Sequence, residues 1–104
     1  MGWKKNLLMA TVCAISPGLA SAEAPVTQGE LLANSCFSCH GYEGKAVEGA
    51  TIPPLADYPA SLIVSQMKAY RDGERDGTVM PRHARGYTDD EIERMAEYIG
   101  KQGQ

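Results

Sequence analysis

The sequence predicts an all-α domain of three to four short helices, joined by long loops and wrapped around one large bound group. Three observations lead there. Apolar residues recur at i, i+3 and i+4 in three separate segments, each bounded by residues suited to helix ends. Clustered glycines and prolines break the connections, and no segment reads as a confident strand. The third is a shortage of core. Phe37 is the sole phenylalanine, and the sole tryptophan, Trp3, stands in the N-terminal segment.

That N-terminal segment reads as a cleaved secretory signal over residues 1–22. Lys4 and Lys5 supply the positive start, and Leu7 to Leu19 is mostly apolar apart from Thr11, Cys13, Ser16 and Pro17. Ala20-Ser21-Ala22 supplies the small-residue cleavage pattern. A membrane-spanning helix needs about 20 apolar residues, more than this run offers. An uncleaved N-terminal anchor is the alternative. Residues 23–104 are then the mature domain, with no membrane insertion after cleavage.

The 104 residues carry a formal net charge of −3, and loss of Lys4 and Lys5 makes the mature part more acidic still. An acidic balance argues against nucleic acid or anionic membrane as the main partner. A domain this small sits near the limit at which a hydrophobic core suffices alone, so a disulfide, metal or cofactor is expected. Cys36 and Cys39 are the only cysteines left after cleavage. They would close too short a loop to serve as a disulfide scaffold.

Glu23 to Thr27 reads as an extended lead-in held by Pro25. The first helix is expected from about Thr27 to Cys39, opened by a Thr27/Glu30 capping box, with Leu31, Leu32, Ser35 and Cys36 on one face. From Gly41 to Asp57, three glycines and Pro53-Pro54 preclude a long helix. A loop that long in so small a domain should wrap around something. The second helix opens at Tyr58-Pro59, with Pro59 in the first turn, and Leu62, Ile63, Gln66, Met67 and Tyr70 carry its spacing up to Gly73. Gly73 to Gly86 reads as loop. The last helix opens on the capping box Thr88-Asp89-Asp90-Glu91, buries Ile92, Met95, Ala96 and Ile99, and ends at Gly100 or Gly103.

The chemistry is carried by Cys36-Phe37-Ser38-Cys39-His40. This is C-x-x-C-H, the attachment sequence of c-type haem. Two thiols three residues apart at a helix end reach the two vinyl groups of one porphyrin, and the next histidine supplies a nitrogen ligand to the iron. Haem would also fill the missing core, and attachment of this kind in bacteria takes place outside the cytoplasm, which points to the periplasm. A zinc-binding structural module would need four ligands, and only His83 remains to join Cys36, Cys39 and His40. A redox dithiol would want a βαβ setting that the pattern lacks.

The sixth iron position has four candidates: Met67, Met80, Met95 and His83. Met67 and Met95 occupy apolar helical positions, where methionine commonly fills core. Met80 stands in Thr78-Val79-Met80-Pro81, a loop able to fold back over an open haem face, and is the favoured ligand. A backbone carbonyl in Ile52-Pro53-Pro54-Leu55 is the expected partner for the other ring nitrogen of His40. Pro54, Leu55 and Met67, with Ile63 and Val79, are expected in the haem pocket. Tyr58, Tyr70 or Arg71 are candidates to meet a propionate. Arg82, His83 and Arg85 flank Met80 with no acid between Gly77 and Thr88, which makes a basic rim for a redox partner.

Over residues 23–104 the chain resembles a class I cytochrome c. More narrowly, Gln66 to Gly73 and Thr78 to Glu91 are similar to the cytochrome subunit of flavocytochrome c sulfide dehydrogenase, in a single-haem form. The resemblance implies axial ligation by His40 and Met80, thioethers at Cys36 and Cys39, and an FAD-containing flavoprotein partner that oxidises sulfide. The best-known subunits of that family carry two haem domains, whereas this chain has one C-x-x-C-H. A free-standing electron carrier for other respiratory or photosynthetic partners is the alternative. No nucleophile stands beside a base, so an electron-transfer subunit without a catalytic site of its own is expected.

Overall fold

The computed structural model describes residues 11–18 and 23–102. Residues 11–18 carry no helix or strand, and the expected cleavage pattern at residues 20–22 lies outside the described residues. Four α-helices follow: α1 (Gln28–His40), α2 (Ala60–Asp72), α3 (Met80–Ala84) and α4 (Asp89–Gln102). One 3₁₀ turn, Tyr42–Gly44, follows α1, and the described residues contain no strand.

Helix α4 is the centre of the domain, packed against both α1 and α2. Its expected apolar face is its buried face: Ile92, Met95, Ala96 and Ile99 are each at most 1% exposed. The capping box at its start is complete. Glu91 N–H donates to Thr88 Oγ1 (3.2 Å) and Thr88 N–H donates to Glu91 Oε2 (2.9 Å). Gly100 does not end the helix. It lies buried inside it, where a Cβ would come within 3.0 Å of Ala60 N. A glycine here therefore marks a close helix crossing, and Gly103 lies outside the described residues.

Helix α1 starts one residue later than expected, with Thr27 as its N-cap accepting from Glu30 N–H (3.1 Å). The buried face is only partly the expected one. Gly29 and Ala33 are buried and Leu31 is 62% exposed, because Gly29 lets α1 approach α4 so closely that a Cβ would lie 2.6 Å from the Arg94 carbonyl oxygen. Leu32, Cys36 and Phe37 pack beside them, and the Phe37 ring meets Tyr98 of α4 at 6.5 Å.

Helix α2 begins at Ala60, with Pro59 as N-cap and not in the first turn, and stops at Gly73 in the left-handed conformation. It turns Ile63 and Met67 inward. The expected loop from Gly73 to Gly86 contains α3, with Pro81 in its first turn, where the missing N–H costs nothing. Met80 therefore stands at the start of a short helix that packs on α2. Lys68 and Arg71 of α2 reach the start of α4. Arg71 pairs with Asp89 (2.5 Å) and Asp72 (3.0 Å), and Lys68 with Glu93 (3.2 Å) and Asp89 (3.7 Å). The Arg71 guanidinium, seconded by Lys68, holds the Asp89 carboxyl below its ordinary range. No described helix is long and apolar enough to cross a membrane.

Candidate functional site

A cavity of about 830 Å³ opens between the end of α1, α2, α3 and the inner face of α4. All three chemistry-bearing residues of the C-x-x-C-H sequence line it. One helix suffices to bring them there. Cys36 and Cys39 are i, i+3 neighbours on α1, and His40 is its last residue. Burial pushes the Cys36 thiol above its ordinary pKa; the Ser35 hydroxyl opposes this and neighbouring Cys39 adds to it. Cys39 is exposed at the rim.

The His40 ring is oriented by the loop that follows. Its Nδ1 lies 2.6 Å from the Pro53 carbonyl oxygen, within the expected 52–55 segment. A carbonyl only accepts, so Nδ1 carries a proton and donates, and in the neutral ring Nε2 is the nitrogen left with a lone pair. That is the state a metal-ligating imidazole needs.

All four candidate sulfur and nitrogen ligands line the same cavity, but in different settings. Met67 and Met95 are built into the core, 7% and 1% exposed. Met80 is half-buried at the mouth and His83 is exposed one turn further along α3. Leu55, Ile63 and Val79 line the cavity as well. Pro54 does not; its neighbour Pro53 is both lining and hydrogen-bond acceptor. Tyr58 and Tyr70 are part of the wall, whereas Arg71 is drawn away into its ion pairs with Asp72 and Asp89.

Two lining features escape the sequence reading. Arg75 lies over the Tyr70 ring, 4.6 Å from its centroid, and its guanidinium donates to Gln66 Oε1. Tyr87 meets Ser35 at 3.1 Å; because the Ser35 hydroxyl donates to the Leu32 carbonyl (2.8 Å), the phenol is the donor. The i, i+4 pair Gln66 and Tyr70, with a cation just past the end of that helix, is the signal that could have found the first.

The volume, the mostly apolar wall, the adjacent thiols and the oriented imidazole suit a flat apolar cofactor anchored at one edge. Cofactor sites occupy about 300–1,000 Å³ and carry few polar groups. A zinc site is poorly served: among the described residues, no three His, Cys, Asp or Glu side chains come together as a metal-binding group.

A family model described as Cytochrome c matches residues 26–102. The chain is 40% identical to a cytochrome subunit of sulfide dehydrogenase from Chlorobaculum tepidum, over 81% of this chain and 76% of that one. It is also 40% identical to a thiosulfate dehydrogenase electron acceptor from Stutzerimonas stutzeri, over 66% of this chain and one third (33%) of that protein's length. Cytochrome c-554(548) from Halomonas halodenitrificans is 35% identical over 71% of this chain and 92% of its own.

Proposed function

The chain belongs to the cytochrome c family and transfers electrons by covalently bound haem c, and from that premise we propose that it is the cytochrome subunit that takes electrons from a sulfide-oxidising flavoprotein. The observation that carries the partner is the 40% identity, over most of both chains, with a cytochrome subunit of sulfide dehydrogenase. Cys36 and Cys39 are proposed as the thioether anchors, and His40 Nε2 and the Met80 sulfur as the two axial ligands. Haem c supplies a centre that accepts and releases one electron at a time.

The chain's own residues set how that electron moves. The Pro53 carbonyl holds the His40 ring in one orientation and one tautomer. Ile63, Met67, Met95 and Ile99 present an apolar wall that excludes water. A thioether ligand favours the reduced state relative to a second histidine. With His40 and Met80 both holding the iron, no position would remain for a substrate, so no bond-making step is assigned to this chain.

Partners approach at the mouth. Arg82 and Arg85 on and beside α3 are exposed and take part in none of the ion pairs among the described residues. The other described lysines, and Arg71 and Arg94, are in ion pairs, while Arg75 is engaged by Gln66 and Tyr70. An acidic patch on the partner fits this rim, and binding should weaken as salt rises. Residues 1–22 are proposed as the secretory signal that delivers the domain to the periplasm.

Purification of the untagged protein from its source tests the reading. Co-purification of a stoichiometric FAD-containing subunit supports it, and a clean monomer overturns it. The second reading, a free-standing carrier, is favoured by the match over 92% of cytochrome c-554(548), whose name mentions no enzyme complex.

A further inference from the structure

Met80 is delivered to the cavity by a segment with little support of its own. Glu74 and Arg75 N–H both donate to the Ala69 carbonyl (2.9 and 3.1 Å), but none of the amides of residues 76–79 donates to a backbone carbonyl. The segment is exposed from Asp72 to Val79. Side chains hold it instead. The Arg75 guanidinium covers the face of Tyr70 and bonds Gln66, four residues earlier on the same helix. Gly77 packs so closely beyond it that a Cβ would lie 3.2 Å from the Tyr70 ring and 3.1 Å from Pro81. Tyr70 is thus covered by Arg75, just before the free stretch, and met by Gly77 within it, three residues ahead of Met80.

A competitor is close at hand. His83 follows Met80 by three residues on α3, lines the same cavity and is exposed. Residues three apart share a helix face, so a small rotation of this five-residue helix would exchange a thioether for an imidazole.

We propose that Arg75, stacked on Tyr70 and bonded to Gln66, is the positioning residue that keeps the Met80 thioether, and not the His83 imidazole, turned toward the cofactor. The inference rests on Met80 as the axial ligand. A cation over a ring and a charge-assisted hydrogen bond are both stronger than their neutral counterparts, and they act together here. Releasing them should lower the share of molecules held by Met80 and raise both the His83-held and the open shares, and an external ligand binds in proportion to the open share.

The test is an imidazole titration of the oxidised holoprotein, read by the absorption band specific to methionine-ligated ferric haem. Arg75→Leu should weaken the band and let imidazole bind about tenfold more tightly, the equivalent of one charge-assisted hydrogen bond. Adding His83→Asn to Arg75→Leu should restore the band while leaving imidazole binding enhanced. Arg75→Lys keeps the charge and loses the planar stack, and should not rescue. Tyr70→Leu, with Arg75 intact, should reproduce the effect and serves if Arg75→Leu fails to fold. A band and affinity unmoved by Arg75→Leu, or full rescue by lysine, would overturn the proposal alone. A wild-type protein without the band overturns the Met80 reading beneath it.

Discussion

The two sides of α4 are built differently. Away from the cavity the chain closes its own interior: Ala33, Ile92 and Ala96 are wholly buried, and between α1 and α4 Gly29 lets the backbones nearly touch. Toward α2 and α3 the same helix offers Met95 and Ile99 as the floor of a cavity of about 830 Å³. The rim of that cavity is loosely covered, with Ile52, Tyr58, Leu62 and Val79 all substantially exposed. One half is a conventional packed helix pair, dense enough that single methylenes matter. The other is a mould whose contents come from outside the polypeptide. The small core therefore reflects the division of labour between side chains and cofactor.

The most severe way to break this contrast is to remove the proposed anchors. Cys36→Ala combined with Cys39→Ala, exported without attached cofactor, should lose slow-exchanging amides throughout α2 and α3, while the α1–α4 pair keeps residual protection. Hydrogen exchange reads the outcome, and equal protection in both halves would contradict the contrast. Next in size, Met80→Ala should lower the reduction potential and open the iron to carbon monoxide. Ligand spectra that stay unchanged would eliminate Met80 as the ligand.

The packed half responds in ordinary stability terms. Ile92→Ala leaves a hole at a wholly buried site and should cost about 2–5 kcal/mol in denaturant unfolding of the holoprotein. Thr88→Ala removes the reciprocal cap of α4 and should cost about 1 kcal/mol. The smallest effect lies in the exposed ion pairs between α2 and α4. Because Arg71 depresses the Asp89 pKa, that stabilisation is present above the ordinary carboxylate range and disappears as pH falls through the lowered one. Wild type and Asp89→Asn should therefore differ slightly near neutrality and converge in acid, as measured by thermal unfolding. A gap that widened in acid would contradict the assignment.

How much was legible depended on how far along the chain the deciding contacts lay. The inner face of α4 was read correctly because an amphipathic period and a four-residue cap are local. The face of α1 is legible only in part: Leu32 and Cys36 pack inward, but Leu31 outranks Gly29 in any hydrophobic pattern, and only the glycine permits the close crossing with α4. Of the two glycines offered as the end of α4, Gly100 lies inside the helix for the same reason, since its packing partner Ala60 lies on another helix. Helix α3 reads as loop in the sequence because five residues containing a proline and two charged or titratable side chains carry no usable period.

The sequence by itself determined the chemistry. Cys36, Cys39 and His40 need only one helix to stand together, so their spacing specifies the group they can hold wherever the chain folds. Tertiary structure decided the surroundings. It chose the Pro53 carbonyl as the partner of His40, brought Arg75 back over Tyr70, and placed four candidate ligands around one cavity in unequal settings. Those choices depend on where the loops reverse and how closely helices cross. Such closures join residues that no local spacing connects.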